Sequence, residues 1–183
     1  MKRIAIIPAR SGSKRIKDKN IKSFCGRPII AYALDTVKKS NLFDVIHVST
    51  DSEEIANFVK SIGFPVDFLR PTSLADDHTP IMPVLKWVVE EFAEKGLTFD
   101  EIATIMPCSP FIEPSDLINA SKLLKDNQYR NPILAVAPYS APIEWAFSRQ
   151  NDGLLSPLQP GIFASRSQDL LYIIMIRVHL HSS

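Results

Sequence analysis

The chain has 183 residues, of which 45% are hydrophobic and 22% charged, and its formal net charge is +1. This length allows one domain with a sizeable buried core, and the composition is that of a globular protein. The balance excludes a disordered or fibrous chain, and the near-zero charge argues against general nucleic-acid binding.

The first residues and the cysteines argue against a secreted or membrane protein. The apolar run in MKRIAIIPAR is only four residues long and ends at Pro8, which fits neither a signal peptide nor a membrane span. Cys25 and Cys108 are too few for a disulfide framework or a zinc knuckle. We therefore expect a cytoplasmic protein without contact to a membrane.

The first third of the chain alternates β-rich runs with helical patterns. A strand over Arg3 to Ile7 precedes a helix over Ile29 to Lys38, and a second strand covers Val45 to Ser49. Asp51 then has the spacing of an N-cap residue with a capping-box glutamate three residues later, Glu54. This order predicts strand, loop, helix, strand and helix.

The same alternation continues through the middle of the chain. The predicted elements are a short strand over Val66 to Leu69, a helix over Met82 to Glu94, a strand over Ile102 to Met106, a helix beginning at Pro114 and a strand over Ile133 to Ala137. Apolar strands separated by helices imply a mostly parallel sheet covered on both faces. We therefore expect a three-layer α/β/α fold.

Regular periodicity fades over residues 138–165. Four prolines in this stretch, the last of them Pro160, interrupt any helix that begins there. We predict an irregular arm.

A basic loop lies between the first strand and the first helix. Its sequence, PARSGSKRIKDKN, carries five cations opposed only by Asp18. The loop leaves a parallel strand at its carboxyl end, where open α/β sheets bind ligands. Gly12 allows close approach of the backbone, and arginine and lysine supply donors for phosphate oxygens. From composition alone, a solvated basic turn fits equally well, and neither a Walker loop nor GxGxxG is present.

The loop IIPARSGSKRIKDKNI resembles the signature of the cytidylyltransferases that make CMP-activated sialic acid, pseudaminic acid and related sugars. VSTDSEEIANFVKSIG, FLRPTSLADDHTP and IMPCSPFI follow in the family's order, so the resemblance covers Met1 to about Leu170. It implies a nucleotide-diphospho-sugar transferase (Rossmann-like) fold in one domain over 1–170. It also implies an enzyme that binds CTP and a nine-carbon acidic sugar.

The resemblance implies roles for ten residues around CTP. It assigns the cytosine and ribose end to Ala9, Arg10 and Asn20, and the triphosphate to Ser13 and Lys19, with Arg10 and Lys19 as the catalytic cations. Further residues implied to line the nucleotide pocket are Gly12, Arg70, Thr79, Pro107 and Ser109.

Several of these residues also have ordinary structural explanations. Arg70 alone fits a turn before a proline, and Thr79 alone fits a helix cap. Asp76 and Asp77 are adjacent carboxylates in a polar loop, which we interpret as a solvated turn rather than a metal pair. Trp87 and Phe92 are expected to pack in the core rather than to stack on a base.

The second half favours pseudaminic acid over its relatives. APIEWAF, followed by SRSQDL, is closer to pseudaminic acid cytidylyltransferases than to the sialic acid enzymes. The resemblance implies that the arm, 138–165, crosses to the partner of a homodimer. Arg166 becomes a candidate for the sugar carboxylate and Gln168 for its hydroxyl or amide groups. A polar turn is the alternative for this motif.

The resemblance stops after Leu170, and the tail 171–183 contains no acidic residue. Family members continue to a late aspartate pair that binds Mg²⁺, so we expect Mg²⁺ as the family's cofactor but predict no metal ligands in this chain. We expect an aberrant tail produced by a frameshift. In the shifted frame, the last base of the Met175 codon and the first two of the next isoleucine codon encode aspartate. Activity is then expected to be impaired.

The predicted reaction is attack of the sugar's anomeric hydroxyl on the α-phosphate of CTP, with release of pyrophosphate. Two alternatives remain open at this point. One is a CMP-sialic or CMP-legionaminic acid synthetase, and the other is a noncatalytic CTP-binding remnant.

Overall fold

The computed structural model describes residues 1–14, 16–138 and 141–161, and the backbone of a strand at 174–182. The strands are β1 Arg3–Pro8, β2 Ser23–Phe24, β3 Arg27–Pro28, β4 Val45–Ser49, β5 Glu101–Thr104, β6 Ile133–Pro138, β7 Phe147–Arg149, β8 Leu155–Pro157 and β9 Ile174–Ser182. The α-helices are α1 Ile29–Ser40, α2 Glu53–Ser61, α3 Ile81–Glu94 and α4 Pro114–Asp126. Short 3-10 turns cover Thr72–Leu74 and Ile143–Trp145. The chain divides into two units, 1–133 with 178–183, and 134–177.

The sheet of the first unit is built around β1. It pairs in parallel with β4, where Pro8 lies opposite Ser49, and in parallel with β5, where Ile6 lies opposite Thr104. The strand order is β4-β1-β5-β9, and β9 runs antiparallel to β5. The mostly parallel sheet predicted from the alternation of strands and helices is confirmed.

Successive residues of β1 point to opposite sides of the sheet, and its apolar residues are buried on both sides. Helices therefore cover both faces of the sheet. Ile4 and Ile6 are fully buried against Leu85, Val88 and Phe92, which lie on the apolar face of α3. The predicted core position is therefore confirmed for Phe92, and Trp87 packs partly buried against the same cluster.

The opposite face carries the larger part of the core. Ala5 and Ile7 pack there with Leu34 of α1, Val59 of α2 and Leu117 of α4, all almost completely buried. Helices on two sides of a parallel sheet make three layers, so the α/β/α prediction is confirmed.

Two local predictions in the first unit are wrong. The N-cap of α2 is Ser52, whose Oγ accepts from the amide of Ile55 at 3.3 Å, because the Asp51 carboxylate is used elsewhere by the loop after β1. Val66 to Leu69 is not a strand. Prolines precede and follow this segment, and the neighbouring Arg70 amide makes a single bond to the carbonyl of Thr50 at 2.7 Å instead of a ladder.

The second unit is more regular than expected. Its arm, predicted to be irregular over 138–165, contains the Ile143–Trp145 turn and a hairpin of β7 and β8. The turn residues Asp152 and Gly153 explain the hairpin, because the Asp152 carboxylate accepts from the amide of Leu154 at 2.9 Å and Gly153 has a φ of 87°. β9 begins in this unit and ends in the first, and it contains most of the predicted aberrant tail.

Helix lengths in the described part of the chain bear on membrane insertion. None of these helices combines the length and the hydropathy that are needed to cross a bilayer.

Candidate functional site

A cleft opens at the carboxyl ends of β1, β4 and β5, where parallel strands present their loops to ligands. Its volume is about 170 Å³. The lining residues are Pro8, Arg10, Ser13, Lys19, Asn20, Arg70, Leu74, Asp76, Thr79, Ile81, Val84, Met106 and Pro107. A smaller cavity of about 50 Å³ shares Arg10, Ser13, Lys19 and Asn20 with the cleft and is also lined by Gly12. Both cavities lie in the first unit.

Backbone and side-chain bonds fix the start of the basic loop to the end of β4. The amide of the buried Ala9 donates to the Ser49 carbonyl at 2.9 Å. Ser11 donates to Asp51 twice, from its amide to Oδ1 at 2.8 Å and from its hydroxyl to Oδ2. The next residue, Gly12, has a φ of 67°, a conformation that side-chain-bearing residues rarely adopt. The sequence therefore turns the loop sharply over the sheet edge.

Asn20 ties the end of the loop back to its start. This side chain is 5% exposed, and its Nδ2 donates to the carbonyl oxygen of Arg10 at 2.9 Å. Cys108 approaches from the segment after β5, with its Sγ 3.7 Å from Asn20 Oδ1. Burial raises the pKa of the Cys108 thiol, which keeps it neutral. Asn20 thus closes the loop into a fixed cradle.

Arg70 places a buried positive charge beside the cleft. It is 5% exposed, and its guanidinium donates from Nε to Ser49 Oγ at 3.1 Å and from Nη2 to the Ser49 carbonyl at 2.5 Å. Burial lowers the pKa of Arg70, Asp51 opposes this effect, and Arg10 adds to it. Across the described residues, no carboxylate forms an ion pair with Arg70. A buried guanidinium without an ion pair favours an anionic or acceptor-rich ligand beside it.

Asp77 contacts two cations of the basic loop. Its Oδ1 lies 2.6 Å from Arg10 Nη2, and its Oδ2 lies 2.5 Å from Lys14 Nζ. The Lys14 ammonium and then the Arg10 guanidinium hold the pKa of Asp77 below its usual range. The solvated-turn interpretation of Asp77 is therefore incomplete, because its carboxylate forms ion pairs with two residues of the basic loop.

Thr79 is fixed by the neighbouring Asp76 rather than by helix α3. Its amide and hydroxyl donate to Asp76 Oδ1 at 2.6 and 2.7 Å, and these bonds, with that of His78, lower the pKa of Asp76. The N-cap of α3 is Pro80, so the helix-cap explanation of Thr79 is wrong. Its side chain borders the cleft instead.

Most of the predicted nucleotide residues meet at one place. Those that line the cleft are Arg10, Ser13, Lys19, Asn20, Arg70, Thr79 and Pro107. Gly12 lines the smaller cavity, and Ala9 is buried beneath the loop. Ser109 is half-buried and lies outside both sets of lining residues. Arg166 and Gln168 lie outside the described residues.

The apolar wall of the cleft was not recognised from the sequence. Leu74, Ile81, Val84 and Met106 supply it. Ile81 and Val84 lie one turn apart at the start of α3, so an amphipathic pattern close to the LRP motif is the signal that would have found them. A cleft lined by both cations and apolar side chains suits a ligand with a flat ring and an anionic group.

The described residues do not fit a magnesium site. They contain no group of three or more His, Cys, Asp or Glu side chains that could hold a metal. Asp76, the only carboxylate among the described cleft-lining residues, already accepts three hydrogen bonds through Oδ1.

Comparison with known proteins assigns the family. The cytidylyltransferase family profile matches residues 4–157. The pseudaminic acid cytidylyltransferase of Campylobacter jejuni is 32% identical over 170 residues, which are 93% of this chain and 73% of that protein. The CMP-N,N'-diacetyllegionaminic acid synthase of Legionella pneumophila is 31% identical over 163 residues, 89% of this chain and 68% of that protein.

Solved structures agree on the fold. A structure of CMP:2-keto-3-deoxy-manno-octonic acid synthetase complexed with CTP superposes with a TM-score of 0.74 at 16% identity, covering 100% of this chain and 74% of that one. At this identity the likeness shows the three-layer fold alone. The profile match and the two relatives go further, and they show that this chain belongs to the cytidylyltransferase family of nucleotidyltransferase enzymes.

Proposed function

We propose that this protein transfers CMP from CTP to a nine-carbon acidic sugar, most specifically pseudaminic acid. The anomeric hydroxyl of the sugar attacks the α-phosphorus of CTP, the new bond joins that oxygen to phosphorus, and the bond from the α-phosphorus to the bridging oxygen breaks. Pyrophosphate leaves with the electron pair, and the hydroxyl proton passes to solvent. The observation that carries this proposal is the buried guanidinium of Arg70, which has no ion pair among the described residues and lines a cleft together with Arg10 and Lys19.

The cations would act on the phosphates. Arg10 and Lys19 border both cavities, so a polyphosphate lying along the loop reaches both side chains. Gly12 allows close backbone approach, and Ser13 supplies a hydroxyl donor. Fixed positive charge near the leaving pyrophosphate stabilises the transition state more than the ground state, because charge grows there as the bond breaks.

The opposite end of the cleft would hold cytidine. Asn20 and Thr79 carry polar groups at its edge, and Pro107 is part of its wall. Ala9 fixes the backbone beneath the ring, and Ser109 is proposed to act from the same turn as Pro107. The apolar residues Ile81 and Val84 supply the surface on which a flat base packs.

The choice of sugar rests on the relatives, on two sequence motifs and on two residues that precede the tail. Both the pseudaminic acid enzyme and the legionaminic acid enzyme match most of this chain. The APIEWAF and SRSQDL motifs favour pseudaminic acid. Arg166 is proposed to bind the sugar carboxylate and Gln168 its hydroxyl or amide groups.

Three further features belong to the same proposal: Mg²⁺ as cofactor, a homodimer and a cytoplasmic location. Mg²⁺ would arrive with the phosphates of CTP and neutralise part of their charge, since the described residues contain no group of three metal-binding side chains. Exposed apolar side chains in the second unit support a protein contact there, because Phe147 is 48% and Leu154 66% exposed. The cytoplasm is where CTP is made.

The test is a pyrophosphate-release assay with CTP, Mg²⁺ and one sugar at a time. Pseudaminic, legionaminic and N-acetylneuraminic acid are compared at equal concentration, with UTP replacing CTP as a control. We expect release with CTP that is fastest for pseudaminic acid. Faster release with another sugar contradicts the sugar assignment, and CTP binding without release from any of the three contradicts catalysis by this chain.

A further inference from the structure

Asp77 makes, with one carboxylate, two contacts that phosphate oxygens would make. Each of its oxygens meets a different cation of the loop, Arg10 at 2.6 Å and Lys14 at 2.5 Å. Asp77 and Arg10 are only partly exposed, at 25% and 35% for their side chains. Asp77 lies 67 positions after Arg10 and 63 after Lys14, so the fold and not the local sequence brings this carboxylate to the loop.

A ligand phosphate that takes Arg10 has to compete with this carboxylate. The side chain of Arg10 lines both cavities, so no phosphate lying along the loop avoids its neighbourhood. Asp77 also repels an incoming phosphate, because two anions within about 4 to 6 Å disfavour each other. A polyphosphate brings more charge than one carboxylate and can engage Lys19 at the same time.

We propose that Asp77 is an internal competitor of phosphate for Arg10 and Lys14, and that it sets the affinity of the loop for polyphosphate ligands. This inference rests on the proposed function for the identity of the full ligand, CTP. Asp77 leaves its two cations when the polyphosphate arrives, and it returns when the ligand departs. The affinity of the site is thereby held below what its cations alone would give.

The test compares wild type with Asp77→Asn by isothermal titration of tripolyphosphate, CTP and cytidine. Asp77 has one ion pair with the partly exposed Arg10 and one with Lys14, which is 81% exposed. These pairs predict that the variant binds tripolyphosphate and CTP about 3 to 10 times more tightly, and cytidine no more tightly. The gain should shrink between about 50 mM and 500 mM salt because exposed charges are screened. Thermal unfolding of each variant checks that the fold is intact.

Two matched variants separate the ion pairs from net charge. Asp18→Asn removes one negative charge from the basic loop itself, in the lining of the smaller cavity, at a residue whose φ of 50° asparagine tolerates well. Among the described residues, Asp18 forms no ion pair, so its gain should be smaller than that of Asp77→Asn. Lys14→Gln removes one partner of Asp77, and in this background the gain from Asp77→Asn should fall because the two sites are coupled.

Equal or weaker binding of tripolyphosphate by Asp77→Asn overturns the inference, since Asp77 would then position Arg10 instead of competing for it. An equal gain in tripolyphosphate affinity in Asp18→Asn also overturns it. A lack of tripolyphosphate binding by both wild type and Asp77→Asn overturns it as well. Failure of the proposed function looks different. In that case wild type binds CTP no better than UTP, while Asp77→Asn still gains affinity for tripolyphosphate.

Discussion

The guanidinium of Arg70 holds both oxygens of Ser49, the hydroxyl at 3.1 Å through Nε and the carbonyl at 2.5 Å through Nη2. Ser49 is the last residue of β4 and lies opposite Pro8, where the basic loop leaves β1. One buried side chain therefore fixes the strand end and brings positive charge to the cleft. Stability and ligand binding are expected to depend on the same residue.

Arg70→Lys tests this double role. Lysine lacks the planar fork, so one Ser49 oxygen loses its donor in a buried place, and we expect the free energy of unfolding to fall by about 1 to 3 kcal/mol. CTP affinity should fall by roughly tenfold for the same reason. Denaturant unfolding and calorimetric titration measure the two effects. Arg130→Lys, at an exposed arginine, is the control and should change stability by less than about 0.5 kcal/mol. A stable Arg70→Lys protein with unchanged CTP affinity would contradict this account.

Asn20→Asp tests the closure of the loop. The carboxylate has no Nδ2 to donate to the Arg10 carbonyl, and it adds an anion to the lining of both cavities. We expect CTP affinity to fall by about tenfold or more, measured by titration, with the thermal unfolding midpoint lowered as well. Asn119→Asp on the exposed face of α4 makes the same chemical change away from the cleft. If both variants bind CTP alike, Asn20 has no part in the site.

The strands and helices of the core were predictable because burial leaves a clear pattern. The apolar run Ile4 to Ile7 is buried on both faces of the sheet, and α3 carries its apolar stripe at helical spacing. Local alternatives were harder to separate. Val66 to Leu69 has strand-like composition but is pulled into an irregular path, where Asp67 turns to His47 of β4.

The cations of the site were predictable from the sequence, but the carboxylates that pair with them were not. Arg10 and Lys19 stood out because five cations crowd one loop, and the family motifs pointed to Arg70. Asp77 and Arg10 are 67 residues apart in the chain, and no local sequence pattern predicts their contact. Long-range pairing of this kind depends on how the loops meet at the sheet edge. The sequence around Asp77 reads only as a polar turn.

His47 makes folding stability depend on pH. This side chain is fully buried, and burial lowers its pKa from 6.5 to about 4, against the opposing effect of Asp67. Below about pH 6.5 His47 takes up a proton in the unfolded chain but stays neutral in the folded chain. The contribution of His47 to the free energy of unfolding is therefore complete above this pH and is lost as the pH falls towards 4. The contribution amounts to about 3 kcal/mol across that window.

Denaturant unfolding of wild type and His47→Gln at several pH values checks this expectation. The slope of unfolding free energy against pH between about 6.5 and 4 should be smaller in the variant, because the titrating group is gone. His78→Gln, at an exposed histidine, serves as the control and should keep the wild-type slope. Equal slopes in wild type and His47→Gln would show that His47 is not held neutral.

Titration of CTP into wild type, Arg10→Ala, Lys19→Ala and Lys17→Ala at low ionic strength measures the binding of cytidine nucleotide polyphosphate most directly. Lys17 is an exposed cation of the same loop that belongs to neither set of cavity-lining residues. The account predicts that Arg10→Ala and Lys19→Ala each weaken CTP binding by about tenfold or more, while Lys17→Ala changes it by less than about threefold. Binding of CTP that is absent at millimolar concentration, or that survives both substitutions unchanged, would contradict it.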